Sequence, residues 1–223
     1  VIHRGTDLNA FNPEAIGSGR LIQLTKQWGL NEESRVVLMP ARLTRLKGHA
    51  VLIGAVANLL RSRHLPNLVC VMVGADDGKG EYRRELQQYA QSLRLHPRHL
   101  VFASHCDDVP AAIHMADVVV SASIEPEGFG RTMAEAAAMG KPVVAAAHGP
   151  AGEIVVDGET GWLVPPGKPG PMAEALAKVF SMSPKERDTL AVKATYRARR
   201  LFSSELMCQR TLEVYRELLS KPA

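Results

Sequence analysis

Short runs of apolar, mostly β-branched residues recur along this chain, and their spacing constrains the possible folds more than any other feature. Each run is bounded by Gly, Pro, Asp or Ser, and the sequence predicts strands at 35–41, 68–74, 100–104, 117–123 and 141–147, with a candidate sixth at 161–165. The apolar residues are continuous within a run rather than alternating with polar ones, so both faces of each strand would be buried. This pattern is typical of a parallel sheet that is covered by helices on each side.

Stretches with helical periodicity lie between and after the predicted strands. Helices are expected at about 18–30, 48–62, 81–93, 108–116, 129–139, 171–181, 184–200 and 204–219. The alternation of strand and helix predicts an α/β fold: a doubly wound, Rossmann-like parallel sheet with helices on both faces and a helical C-terminal tail. The last predicted helix carries an apolar stripe, formed by Leu206, Leu212, Tyr215 and Leu219.

The composition is that of an ordinary globular domain and excludes several other classes. With 223 residues, 46% of them hydrophobic and 22% charged, the chain fits one large α/β domain. Its net charge of +4 fits an anionic ligand or an anionic membrane face, but it is too small to indicate nucleic acid. The basic cluster RARR at 197–200 is interpreted as a solvated helix face. No stretch reaches the roughly 18 apolar residues of a membrane span and no signal peptide is recognised, so a cytoplasmic location is expected, with peripheral contact at the inner membrane surface left open.

The cysteines and acidic pairs do not suggest a metal site. Three cysteines lie far apart, without a CxxC pair, at Cys70, Cys106 and Cys208. This arrangement favours reduced thiols over a disulfide framework or a zinc cluster. The acidic pairs Asp76–Asp77 and Asp107–Asp108 lack the spacing of a metal-binding DxD motif and are expected to cap helices. No metal is therefore expected.

Ligands of open parallel sheets bind beyond the carboxyl ends of the strands, so the loops that follow the predicted strands are the candidate site. These loops read ARLTRLKGH (41–49), GADDGKG (74–80), SHCDD (104–108), IEPEGFG (124–130) and HGPAGE (148–153). The second is similar to a phosphate loop, but Lys79 lies five residues after Gly74, where the P-loop motif requires six. No GxGxxG follows any strand, so a dinucleotide-dependent dehydrogenase is disfavoured.

The fourth loop and the helix after it combine two acids with glycines. Gly128 and Gly130 permit a close approach of the backbone, and the free N–H groups of a first helical turn attract phosphate or sugar oxygens. Glu127 would lie beside the bound group, and Glu135, about two turns into the helix, would point along the same edge. A structural interpretation is equally open, in which the glycines serve a turn, Glu127 complements the helix dipole and Glu135 is solvated.

Two cations in the loop after the first strand favour the ligand interpretation. Arg42 and Lys47 lie between a strand end and a helix that begins near Gly48, so they face the same sheet edge as the acids. Opposite an anion they would neutralise two negative charges. Arg45 and Lys79 are interpreted as ordinary surface cations.

Taken together, these motifs resemble those of a known enzyme family. RLTRLKG (42–48), EPEGFGRTMAEAAAMGKPVVA (125–145) and GETGWLVPPG (158–167) are similar to the retaining glycosyltransferases of family 4, in which Glu127 and Glu135 match the E-x7-E pair. That family has two Rossmann-like domains, the GT-B fold, and the resemblance runs from VIHRGTDLNAF at the start of the chain to the last helix. It implies that residues 1–223 are the nucleotide-sugar (donor) binding domain and that the N-terminal acceptor domain is absent. The first residue, Val1, fits a processed product or a separated domain.

The resemblance also implies roles for individual residues. Arg42 and Lys47 would bind the donor diphosphate and stabilise the leaving group. Glu127 would hydrogen-bond sugar hydroxyls and Glu135 the ribose hydroxyls. The further expected contacts are the backbone of Gly128, Phe129 and Gly130, Thr132 near phosphate and ribose, and the segment Ser104 to Cys106 at the nucleobase. The donor would be UDP-, GDP- or ADP-linked, and positioned cations would replace a metal.

The function implied is the donor-binding half of a retaining glycosyltransferase that transfers a sugar to a saccharide or glycolipid acceptor, with this fragment inactive alone. Two alternatives stay open, a nucleotide-sugar 2-epimerase of related fold and a non-catalytic nucleotide-sugar-binding module. The histidine that the family places near the reacting sugar belongs to its N-terminal domain, and no histidine here matches it by motif. Two departures are Ala41, where the family usually has Gly or a similar small residue, and Lys168, where Asp is common.

Overall fold

A single parallel sheet organises the chain in the computed structural model, which describes residues 1–63, 65–76, 78 and 80–220. Its strands are β1 (Arg35–Pro40), β2 (Leu68–Val73), β3 (Leu100–Ala103), β4 (Val118–Ser121), β5 (Val143–Ala146) and β6 (Gly161–Val164). The strand order is β3-β2-β1-β4-β5-β6, with every neighbouring pair parallel. The predicted doubly wound sheet is therefore confirmed, including its candidate sixth strand.

Helices cover the sheet and form the C-terminal tail. They are α1 (Ser18–Gln27), α2 (His49–Ser62), α3 (Glu81–Ser92), α4 (Val109–Met115), α5 (Arg131–Ala138), α6 (Ala151–Ile154), α7 (Pro169–Ser181), α8 (Pro184–Leu201) and α9 (Ser204–Ser220). Short 3-10 segments occupy Pro13–Ala15, Arg45–Lys47 and Pro97–His99. Of the α-helices among the described residues, the prediction missed α6, and it also missed the 3-10 segments, because a single helical turn is too short to show a period. Among the described residues, no helix combines the length and apolar character needed to cross a bilayer.

Both faces of the sheet are apolar, as continuous runs require. In β1, Val37 and Met39 pack into one core cluster and Val36 and Leu38 into the other, because successive side chains of a strand point to opposite faces. The first cluster includes residues of α2, α3 and α7, and the second includes residues of α1, α4 and α5. Helices on both faces thus bury the central strands, while the edge strands β3 and β6 are only partly buried.

The structure corrects one interpretation of the C-terminal tail and shows that the apolar stripe of α9 is largely exposed. In that stripe Leu212, Tyr215 and Leu219 are 51%, 59% and 87% exposed, while Leu206 is half-buried. The basic cluster of α8, interpreted as a solvated face, is not simply solvated. Its Arg197 donates from Nε to the carbonyl of Ile154 at 3.1 Å and also bonds the carbonyl of Glu153, so it holds the end of α6.

The strand order reverses between β1 and β4, which places a crevice at their carboxyl ends. Val37 and Leu38 of β1 pair with Val118 and Val119 of β4, while the chain leaves the two strands toward opposite sides of the sheet. Such a switch point is where doubly wound sheets bind their ligands. The loops after β1 and β4 are the ones that carry the predicted cations and acids.

Candidate functional site

A cavity of about 720 Å³ opens at the switch point between β1 and β4. Seven of the predicted site residues line it: Arg42, Lys47, Glu127, Gly128, Phe129, Gly130 and Thr132. Glu135 and Cys106 are not among its lining residues. A volume of this size is typical of a small-molecule site.

The loop after β1 presents the two cations through a tight turn. Lys47 ends the 3-10 segment Arg45–Lys47, and Gly48 follows it with a φ of 76°, in the left-handed region. A Cβ at Gly48 would lie 1.9 Å from the carbonyl oxygen of Ala122, just beyond β4. Only glycine fits there, and the contact fixes the Lys47 loop against the end of β4. Arg45 instead pairs with Glu85 at 2.7 Å on the surface, as expected of an ordinary surface cation.

Glu127 is held through both of its carboxylate oxygens. Lys47 Nζ lies 2.8 Å from Oε2, and the Ser123 hydroxyl donates to Oε1. Burial acts to raise the pKa of the Glu127 carboxyl, but the hydrogen bonds from Lys47 and Ser123, with the charges of Lys47 and His148, outweigh it and keep the pKa below its ordinary value. Glu127 is therefore a carboxylate at neutral pH, oriented toward the cavity.

The glycine turn leads from Glu127 into α5. Gly130 is the N-cap residue of α5 with a φ of 85°, and no side chain of the described residues caps this helix. The Phe129 ring is only 8% exposed and packs against Phe202 at 5.9 Å between ring centroids. Phe129 thus anchors the turn in the core beside the cavity. The N–H of Met133 donates to the carbonyl of Gly130 at 3.0 Å, while those of Arg131 and Thr132, the first two of α5, have no acceptor among the described residues and are available to a ligand.

The remaining predicted residues have different surroundings. The Thr132 hydroxyl donates to the carbonyl of Pro40 at 3.2 Å, so it ties α5 to the end of β1. No described residue hydrogen-bonds the Glu135 carboxylate, and burial raises its pKa, which the charge of Arg131 only partly offsets. Cys106 packs against the core, and burial raises the pKa of its thiol. The predicted ligand contacts of these three residues stay predictions.

Four ionisable side chains that line the cavity were not predicted from the sequence. They are His3 and Arg4 of the N-terminal segment, Arg131 of α5 and Glu153 of α6. His3 Nε2 and Glu153 Oε2 lie 2.8 Å apart, so this contact joins the N-terminal segment to α6 beside the site. The sequence contained no signal for His3, Arg4 and Glu153, because only the fold brings their segments to the site, whereas Arg131 directly follows the predicted Gly130.

Within the described residues, no group of three or more His, Cys, Asp or Glu could hold a metal ion. Asp108 caps α4 as predicted, accepting from the N–H of Ala111 at 3.0 Å. The capping prediction is wrong for Asp76, which accepts from the N–H of Gly78 at 3.0 Å, while Gly80 is the N-cap residue of α3. Asp77 and Lys79 lie outside the described residues, so the predictions made for them have no structural counterpart.

Comparison with known proteins identifies the family. Residues 22–197 match the family described as Glycosyl transferases group 1. The chain belongs to this family. The match contains β1 to β6, the Arg42 loop and the complete E-x7-E segment, so it covers the whole sheet and the predicted cations and acids of the candidate site.

The similar proteins include several named glycosyltransferases. A D-inositol 3-phosphate glycosyltransferase of Nocardioides sp. is 37% identical over 97% of this chain and 48% of its own length. A glycosyltransferase of Rickettsia africae superposes with a TM-score of 0.93 at 29% identity, over 100% of this chain and 57% of the other. Anabaena HepE, solved with UDP-glucose, gives a TM-score of 0.85 at 30% identity, over 97% of this chain and 57% of HepE. The chain thus spans about half the length of each of these three proteins.

Proposed function

We propose that this chain binds a nucleotide-sugar donor, with UDP as the first candidate nucleotide, and forms the donor half of a retaining glycosyltransferase. The observation that carries the proposal is the cavity at the switch point. There two cations, a carboxylate and an uncapped helix N-terminus converge on one space of about 720 Å³. UDP is favoured because Anabaena HepE, which shares the fold over 97% of this chain, was solved with UDP-glucose.

The diphosphate is assigned to the positive side of the cavity. Arg42 and Lys47 come from the loop after β1, and the N-terminus of α5 faces them across the crevice. A nucleoside diphosphate that leaves a sugar gains negative charge, and positioned cations and free N–H groups stabilise that charge in the transition state. In this role they need no bound metal.

The two acids are assigned to the two sugars of the donor. Glu127 is ionised and lines the cavity, so it can accept hydrogen bonds from hydroxyls of the transferred sugar. Glu135 is half-buried and lacks a hydrogen-bond partner among the described residues. A carboxylate in such a position gains from adjacent ribose hydroxyls, which donate to both of its oxygens.

The reaction proposed for the whole protein is sugar transfer to a hydroxyl of a saccharide or glycolipid. The bond between the anomeric carbon and the β-phosphate oxygen breaks, a bond to the acceptor oxygen forms on the same face of the sugar, and the acceptor proton is released. Acceptor binding is assigned to a second domain of the kind that completes the GT-B fold. This chain alone is therefore expected to bind donor without transferring sugar, since transfer needs donor and acceptor held next to each other in the reacting orientation.

A thermal-shift screen tests the proposed function. The chain is heated with UDP, GDP, ADP and one sugar conjugate of each, with and without EDTA. A ligand at a hundred times its Kd stabilises the fold by about 2.7 kcal/mol, which shifts the melting temperature measurably. We expect one nucleotide and its conjugate to stabilise the chain equally well in EDTA. Failure of all six ligands would contradict donor binding, and loss of the shift in EDTA would contradict the metal-free site.

A product assay on the whole protein separates transfer from the alternatives. With donor and acceptor, a retaining transferase yields a glycoside with the anomeric configuration of the donor, which NMR spectroscopy detects. A free epimerised sugar would indicate the 2-epimerase, and donor binding without turnover would indicate a binding module.

A further inference from the structure

His148 belongs to the loop after β5, and its ring reaches the loop after the neighbouring strand β4. Its Nε2 lies 2.7 Å from the carbonyl oxygen of Ser123. A carbonyl oxygen only accepts, so Nε2 carries the proton and donates. Among the described residues, the other ring nitrogen, Nδ1, is buried without a hydrogen-bond partner. The contact with Ser123 therefore sets the orientation of the ring.

Ser123 connects His148 to the site carboxylate. Ser123 is 4% exposed and stands four residues before Glu127, at the start of the turn that presents it. Its carbonyl accepts from His148, and its hydroxyl donates to Glu127 Oε1. Holding the backbone of Ser123 restricts its hydroxyl to the few staggered positions of χ1, because a serine side chain has a single rotatable bond before its oxygen.

The next residue of the loop supports the backbone of Glu127 directly. Gly149 has a φ of 54°, and a Cβ there would lie 3.2 Å from the carbonyl oxygen and 3.4 Å from the amide nitrogen of Glu127. The loop after β5 is thus packed against the turn of Glu127 through backbone and through the His148 ring.

Donor binding changes the relative importance of these contacts. In the structure, Lys47 and Ser123 each hold one oxygen of Glu127. Under the proposed function Lys47 also bonds the diphosphate, so its hold on Glu127 weakens when donor is bound. The hydroxyl of Ser123 is then the contact that remains to keep the carboxylate directed at the sugar.

We propose that His148 is a positioning residue for Glu127, acting through the Ser123 carbonyl to keep the carboxylate directed at the sugar of the donor. This inference rests on the proposed function, in which Glu127 binds that sugar. It predicts that His148 matters for ligands that carry the sugar and hardly at all for the bare nucleoside diphosphate.

Calorimetric titration of this chain with UDP and with UDP-glucose tests the inference. If the unmodified chain binds GDP and GDP-mannose, or ADP and ADP-glucose, more tightly than the UDP pair, the tighter pair is used instead. The variants are His148→Ala and His148→Leu, which lack a donor, and His148→Gln, whose amide nitrogen can reach the same carbonyl. His96→Ala is the matched control, since His96 is exposed at the start of the segment before β3.

The expected result is selective. In His148→Ala and His148→Leu the affinity for UDP stays within about twofold, while that for UDP-glucose falls by about three- to tenfold, the range of one lost hydrogen bond. His148→Gln retains most of the affinity for UDP-glucose, and His96→Ala changes neither ligand. Equal losses for both ligands, no loss for either, or a His148→Gln variant as weak as His148→Ala would overturn the inference.

Titration of Glu127→Ala in the same way distinguishes a failure of the positioning role of His148 from a failure of the proposed function. If Glu127→Ala weakens UDP-glucose selectively and His148→Ala does not, only the positioning role is wrong. If Glu127→Ala leaves the preference between the two ligands unchanged, or if the unmodified chain binds no member of the three pairs, the proposed function itself fails and this inference with it.

Discussion

Lys47 and Glu127, which the proposed function assigns to different parts of the donor, bind each other at 2.8 Å in this structure. A bare diphosphate therefore competes with Glu127 for Lys47. We expect Glu127→Gln to bind UDP about two- to fivefold more tightly, the value of a partly exposed ion pair, while losing affinity for UDP-glucose. Calorimetry on both ligands checks this. Glu153→Gln is the control, since it removes an acid of the same cavity that contacts His3 instead; an equal gain there would point to general charge repulsion.

His49 makes the stability of the fold depend on pH. The residue is 0% exposed, its Nδ1 lies 3.3 Å from the carbonyl of Thr44, and burial lowers its pKa from 6.5 to about 4. The unfolded chain binds a proton near pH 6.5 and the folded chain only near pH 4. Stability is therefore complete above pH 6.5 and falls as the pH drops through this window, by roughly 3 kcal/mol.

Urea unfolding at pH 7 and at pH 4 measures this dependence. Between these pH values, wild-type chain should lose roughly 3 kcal/mol more stability than His49→Gln, whose side chain does not titrate. His96→Gln, an exposed histidine, should behave as wild type. A pH dependence that survives in His49→Gln would assign the acid sensitivity to the carboxylates.

At the scale of elements, the turn at Gly48 links β1, the Lys47 segment and α2. An alanine there would meet the carbonyl of Ala122 at 1.9 Å and would also be strained by a φ of 76°. Gly29 has a similar φ of 63° but open space around it. We expect Gly29→Ala to cost about 1 kcal/mol, the strain alone, and Gly48→Ala at least about 3 kcal/mol in denaturant unfolding. Similar costs for both would show that the contact with Ala122 relaxes easily.

The elements that could be predicted are those whose signal is local. Strands buried on both faces show as continuous apolar runs, which is why all six were found. The single turn of α6 is too short to show helical periodicity in the sequence. The exposed stripe of α9 shows that a helical pattern predicts the helix but not the surface that the helix packs against. At the site, the spacing of Arg42, Lys47 and Glu127 was readable. The Lys47–Glu127 ion pair and the cavity contact of His3 with Glu153 were not, because they join segments far apart in sequence.

For the molecule as a whole, the reversal of strand order brings the loops after β1 and β4 to one crevice, and the proposed function requires that a diphosphate binds there. Calorimetry with UDP and uridine tests this most directly, in wild type, Arg42→Ala and Arg45→Ala. Arg42 lines the cavity, whereas Arg45 pairs with Glu85 on the surface. We expect Arg42→Ala to lower the affinity for UDP by about tenfold or more and to leave the affinity for uridine unchanged, and we expect Arg45→Ala to bind both as wild type does. An equal loss of affinity for UDP and for uridine in Arg42→Ala, or an unchanged affinity for UDP, would contradict diphosphate binding at this crevice.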